Sequence, residues 1–134
     1  KYIPRAGESG AQTELNYLTN YRAVRYSDVL LMAAEAYNRG GIDDGIAQEY
    51  LNQVRRRAFG DQDHDISLTG TALTDAIWEE RKFELSMEGH RFFDLVRTGQ
   101  APSIIDGFQQ GKHEVFPIPQ QEIDISGLTQ NPGY

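Results

Sequence analysis

Glu79 to Gly99 reads EERKFELSMEGHRFFDLVRTG. Its periodicity predicts a helix running from about Ala72 to Glu88, a break at Gly89, and a short helix from about Arg91 to Thr98 stopped by Gly99. On a helical wheel, Asp75, Glu79, Lys82 and Ser86 fall on one outward stripe. Leu73, Ala76, Ile77, Phe83 and Met87 occupy the opposite face, and Glu80 and Glu84 project into its middle. Glu88 and Arg81 lie at the edge of that face, beside Trp78 and Leu85. Carboxylates on an apolar face are costly unless paired and hydrogen-bonded. The expectation is therefore that other charges in the chain answer them.

Working outward toward the N-terminus, Ser27 is a plausible N-cap. Val29 to Tyr37 (VLLMAAEAY) is apolar nearly all round, as a buried helix would be. Asp28 and Glu35 share one line along it. Gly40-Gly41 ends this helix, and Asp43 or Asp44 starts another that runs to about Ala58. Ala47, Tyr50, Leu51, Val54 and Ala58 make one face of this second helix. Arg55 and Arg57 flank that face and are the first candidates to meet Glu80 and Glu84, while Arg56 points away. Small residues at Ala34 and Ala47 predict a tight antiparallel hairpin resembling a tetratricopeptide repeat. A single such unit cannot bury its own faces and must stack on something.

Residues 1–22 read as a loop, with Pro4, Gly7 and Gly10 and no sustained period. Residues 59–71 read as a second loop. Beyond Gln100 the chain reads as irregular, with Val115 to Pro119 extended, because each proline biases the residue before it away from helix. A short helical turn is expected at Gln120 to Ile123. The fold class is therefore mostly α: a tetratricopeptide-like hairpin plus a long and a short helix, with an irregular N-terminal loop and C-terminal tail.

Composition narrows the function. A net charge of −7 over 134 residues argues against nucleic acid and against a polybasic membrane surface. No run reaches the ~18 apolar residues of a membrane-spanning helix, and no signal peptide is present. The absence of cysteine excludes disulfides, thiolate catalysis and cysteine-type zinc sites. The chain opens at Lys1 without Met and is read as one domain or part of one.

Among candidate chemical groups, Glu80, Glu84 and Glu88 are spaced as an acid/base array could be. The reading that buried charges are paired fits better: a structural network of Glu80, Glu84, Glu88 and Asp94 with Arg55, Arg57, Arg81, Arg91 and Arg97. Asp61, Asp63 and Asp65 match the first three ligand positions of a calcium loop, but Ile66 and Ala72 stand where that loop needs Gly and Glu. A solvated acidic turn is the expectation there. His64, His90 and His113 have no metal spacing, and His90 reads as a helix-junction residue. No cofactor motif occurs, and no catalytic residue is assigned. Tyr17, Asn20, Tyr21 and Trp78 are the candidate ligand-binding residues: Trp78 could stack on a sugar ring, and Tyr17 and Tyr21 form a polar-aromatic loop cluster with Asn16 and Asn20.

Taken in order, RYSDVLLMAAEA (25–36), LNQVRRRA (51–58), ERKFEL (80–85), EGHRFFDLVRTG (88–99), FPIP (116–119) and QNPGY (130–134) resemble the C-terminal region of the SusD/RagB family from Tyr21 onward. On that resemblance residues 1–134 would be the C-terminal part of a SusD/RagB-like helical domain. The resemblance implies a non-enzymatic surface lipoprotein of the outer membrane. It would bind an oligo- or polysaccharide or another nutrient and work with a TonB-dependent SusC-like transporter, its only tie to the membrane a lipid anchor on a missing N-terminal portion. The matching segments are scaffold segments. The alternative reading is a tetratricopeptide-type protein-interaction module without a sugar ligand, and a glycoside hydrolase stands third.

Overall fold

In the computed structural model, residues 22–134 are described. The described residues contain six helices and no strand. The chain divides into two compact units, one ending at Ile66 and the other running Ser67–Tyr134.

The first unit is the hairpin. Helix α1 spans Tyr26–Arg39 and α2 spans Asp44–Phe59, and the two pack against each other. Ala34 and Ala47 are both fully buried, so their missing side-chain bulk lets the backbones approach, and Tyr37 and Tyr50 meet at 5.8 Å. Leu31, Leu51 and Val54 fill the core. The turn between the helices is built from its sequence. Gly41 takes φ +64, the Ile42 N–H reaches back to the Tyr37 carbonyl at 3.0 Å, and the Asp43 side chain caps α2 through the Ile46 N–H. Asp28 and Glu35 are both buried on one line, with Arg39 paired to Glu35 at 2.9 Å.

Two expectations for α1 are corrected. The N-cap is Arg25, not Ser27, which lies inside the first turn and accepts a hydrogen bond from Arg25 Nη1. Nor is the helix buried all round, since Val29 and Met32 are exposed.

After α2, Gly60 at φ +85 turns the chain into the Asp61–Ile66 loop. Asn52 holds the end of that loop. Its side-chain oxygen accepts the Ile66 N–H at 2.8 Å, and its amide donates to the Ile66 carbonyl at 3.0 Å. One side-chain amide thus satisfies both backbone groups of one residue, as a neighbouring strand would.

The second unit begins with α3 (Gly70–Glu84), shorter at its C-terminus than expected. Leu73, Ile77, Glu80 and Glu84 form its buried line, and the buried arc extends to Arg81 and Leu85. Phe83 and Met87, expected inside, are exposed. Phe83 falls on the other edge of the wheel and lies under the Lys82 ammonium at 4.8 Å. Met87 has left the helix altogether, with φ +68 in a Ser86–Gly89 turn where Gly89 takes φ +84. A wheel carried past Glu84 therefore misplaces it.

Helix α4 spans Arg91–Arg97 with His90 at its N-cap position. The irregular stretch expected after Gln100 contains α5 (Ala101–Ile104), which packs on α4. Pro102 is compatible with this helix because a first-turn position needs no N–H donor. Helix α6 runs Gln120–Ser126, ending at Gly127 in the left-handed region.

Candidate functional site

Arg81 on α3 donates through Nε to both carboxylate oxygens of Asp94 on α4, at 3.2 and 3.1 Å, and both residues are buried. Arg97, one turn further along α4, donates to the same carboxylate at 2.8 Å. Asp94 therefore sits between two guanidiniums, and Thr98 Oγ1 closes the turn on the Asp94 carbonyl. Glu80, Glu84 and Glu88 are buried as well, whereas Glu79, paired with Lys82 at 2.8 Å, is exposed. Arg91 is half-buried at the start of α4.

Arg55 and Arg56 of α2 bond within the first unit. Arg55 donates to the His64 carbonyl at 2.7 Å and lies over the Phe59 ring, on which His64 stacks at 4.0 Å. Arg56 bridges Glu49 and Asp65, and the Asp65 hydrogen bond raises its already high pKa. Arg57 is exposed and lines a groove of about 560 Å³ with Arg25, Tyr26, Leu30 and Arg56.

The calcium-loop aspartates are not assembled as ligands. Asp65 is taken by Arg56. Asp61 accepts from the His64 ring at 2.9 Å and from the Asp63 N–H at 3.1 Å, and it is the His64 hydrogen bond above all that pulls the Asp61 carboxyl below its ordinary value. Among the described residues no three carboxylate or imidazole groups come together to hold a metal ion. Tyr17, Asn20 and Tyr21 lie outside the described residues, and Trp78 is half-buried on α3.

FPIP and QNPGY, far apart in sequence, bond to each other in the fold. The Gln130 side chain accepts the Ile118 N–H at 2.8 Å and donates to the Ile118 carbonyl at 2.9 Å, the same device as Asn52 on Ile66. Asn131 donates to the Phe116 carbonyl, and the Tyr134 hydroxyl donates to that of Val115 at 3.1 Å. The chain terminus thereby clamps the extended segment. The clamp forms one wall of a cleft of about 330 Å³ in the second unit, lined chiefly by Phe92, Asp106, Phe108, His113, Phe116 and Tyr134. The signal for it was the pair of side-chain amides flanking turn residues, Gln130-Asn131 before Pro132-Gly133, which can pair with backbone far away in sequence.

Among the described residues the architecture is helical, a tetratricopeptide-like hairpin followed by a charge-locked helix pair, and it is that of a known class. The sequence matches the SusD family over residues 1–134, and the chain belongs to that family. It is 31% identical to SusD-like protein P2 of Formosa agariphila, an alignment covering 100% of this chain and 29% of that protein. SusD-like protein P25 of the same organism is 34% identical over 83% of this chain and 23% of its own length. The fold superposes on a crystal structure of a SusD homolog from Bacteroides thetaiotaomicron with a TM-score of 0.76 and 32% identity, covering 87% of this chain and 26% of that one. The chain thus spans less than a third of the length of these relatives.

Proposed function

We propose that this protein is a non-enzymatic glycan- or nutrient-binding protein of the outer-membrane surface, working with a TonB-dependent SusC-like transporter. On this reading the 134 residues are the C-terminal part of a longer helical domain, tied to the membrane by lipid. The observation that carries it is membership of the SusD family along the whole chain. Among the described residues no helix is long and apolar enough to cross a membrane, which is compatible with attachment by a lipid. The carboxylate chemistry supports binding over turnover. Glycoside hydrolysis uses two carboxyl groups flanking a cleft, one of them able to protonate a leaving group. Here Asp94 is clamped by arginines, and Glu80, Glu84 and Glu88 are buried on the scaffold.

A glycan array probed with the protein tests this against the protein-interaction reading. Retention on one family of oligo- or polysaccharides, with no peptide ligand, is the expected result. A blank array, together with saturable binding of a peptide, would replace it with a tetratricopeptide-type interaction module.

A further inference from the structure

We propose that the aromatic cleft closed by the chain terminus is a subsite for one ring of a neutral glycan. The inference rests on the glycan-binding reading above and gives it a location. A pyranose has a face rich in C–H groups and a rim of hydroxyls, so its site needs an accessible aromatic face and, beside it, both a hydrogen-bond donor and an acceptor.

The cleft supplies all three. Phe116 is three-quarters exposed and lies 6.4 Å from the Phe92 ring at 35°, so two tilted rings form an open platform. An exposed phenylalanine over a second ring gains little from water, and a C–H face covering it would remove apolar surface from solvent. Phe108 stands edge-on to His113 at 5.7 Å and forms another part of the wall. The His113 Nδ1 accepts the Gln109 N–H at 3.0 Å, so in the neutral ring the proton lies on Nε2, and that N–H is the donor this side chain can offer a ligand. Asp106 supplies the acceptor. Among the described residues no hydrogen bond or ion pair occupies its carboxylate.

Contacts within the chain tie the wall together. Tyr134 is fixed by its hydroxyl on the Val115 carbonyl and by the Lys112 ammonium over its ring at 4.8 Å. Gln130 and Asn131 hold the backbone at Ile118 and Phe116. A site formed before binding loses less to ordering on association. The volume of about 330 Å³ lies at the low end for small-molecule sites, which limits the occupant to roughly one ring of a longer chain. Charge selects among sugars. An open carboxylate in the cleft and a net charge of −7 on the chain disfavour uronates and sulfated sugars, leaving neutral ones.

The test is an amide NMR titration of the full chain with maltohexaose, cellohexaose, xylohexaose and laminarihexaose in turn. At least one should move the Gly107, Phe108, His113 and Phe116 resonances saturably. Phe116→Ala and His113→Ala should each weaken that sugar about tenfold, while Phe83→Ala, exposed on α3 but outside the cleft, should leave it unchanged. Mapping on the unaltered chain needs no variant to fold. Shifts confined to other residues, with Phe116→Ala without effect, would overturn the cleft assignment and leave glycan binding standing. Failure of all four sugars to move any cleft resonance would also overturn it. If the array above is blank as well, the glycan reading falls with it.

Discussion

Arg81 and Asp94 are thirteen residues apart in sequence, and the guanidinium Nε lies 3.2 and 3.1 Å from the two carboxylate oxygens, with both residues buried. Their pairing fixes α4 on α3 across the Ser86–Gly89 turn. Removing either partner breaks a buried charge-assisted pair, and loss of Arg81 leaves the Asp94 carboxylate to the more exposed Arg97. Asp94→Ala or Arg81→Ala should therefore lower stability by about 3–5 kcal/mol, measured by urea unfolding. Arg97 shares the same carboxylate but its side chain is 39% exposed, so Arg97→Ala should cost less than about 1 kcal/mol. Likewise Glu80→Ala should be strongly destabilising and Glu79→Ala nearly neutral. Equal losses at all these positions would contradict the account of an inward charged joint.

The turn between those helices stores backbone strain at one residue. Met87 holds φ +68, a conformation that costs a non-glycine residue roughly 1–2 kcal/mol, and its side chain is almost fully exposed. Met87→Gly should therefore be neutral to stabilising, by up to about 1 kcal/mol. Gly89→Ala should be destabilising by about 1–2 kcal/mol. No atom lies within 4 Å of the added Cβ, so the whole effect at Gly89 would come from φ +84. Thermal unfolding of the two variants should move in opposite directions or differ clearly in size.

Gln130 offers a third test. It satisfies the N–H and carbonyl of Ile118 and accepts the Asn131 N–H at 2.8 Å. Gln130→Ala removes all three hydrogen bonds from a partly buried site and should cost about 1–3 kcal/mol. Gln130→Glu should be nearly as harmful, because a carboxylate can accept from the Ile118 N–H but cannot donate to its carbonyl. Hydrogen exchange at the Ile118 amide should speed up in both variants.

The Asp61–His64 contact makes a pH prediction. The hydrogen bond from His64 lowers the Asp61 pKa in the folded chain, so the contact's stabilising effect is present above the unfolded pKa and is lost as pH falls through the depressed folded value. Carboxyl-detected NMR should place the Asp61 midpoint below the ordinary 3.8, and His64→Ala should move it back up. A midpoint unchanged by that substitution would contradict the pairing.

Much of the fold was legible because its signals are local. Ala34, Ala47, Leu51 and Val54 sit at helical spacing around a glycine turn, and the hairpin followed from them. Glu80 and Glu84 were placed inward by periodicity alone, and they are buried. Where the wheel failed, at Phe83 and Met87, the cause was a buried arc rotated toward Arg81 and a helix that ends at Glu84. The candidate cleft was illegible for a different reason. Its walls come from Phe92, Asp106, Phe108, His113, Phe116 and Tyr134, spread over more than forty residues and three kinds of local structure. Its terminal wall is held by Gln130 and Asn131 bonding to the distant backbone at Ile118 and Phe116, which leaves no periodic trace. FPIP and QNPGY each marked the family, but neither by itself pointed to the other.

The central claim is capture of a glycan without turnover. Isothermal titration calorimetry with a panel of neutral hexasaccharides, followed by chromatography of the same mixtures after prolonged incubation, tests it most directly. The account predicts saturable heat for at least one saccharide and its recovery at unchanged length. Shortened products whose formation is abolished by Glu84→Gln would contradict it, as would the absence of heat from every saccharide.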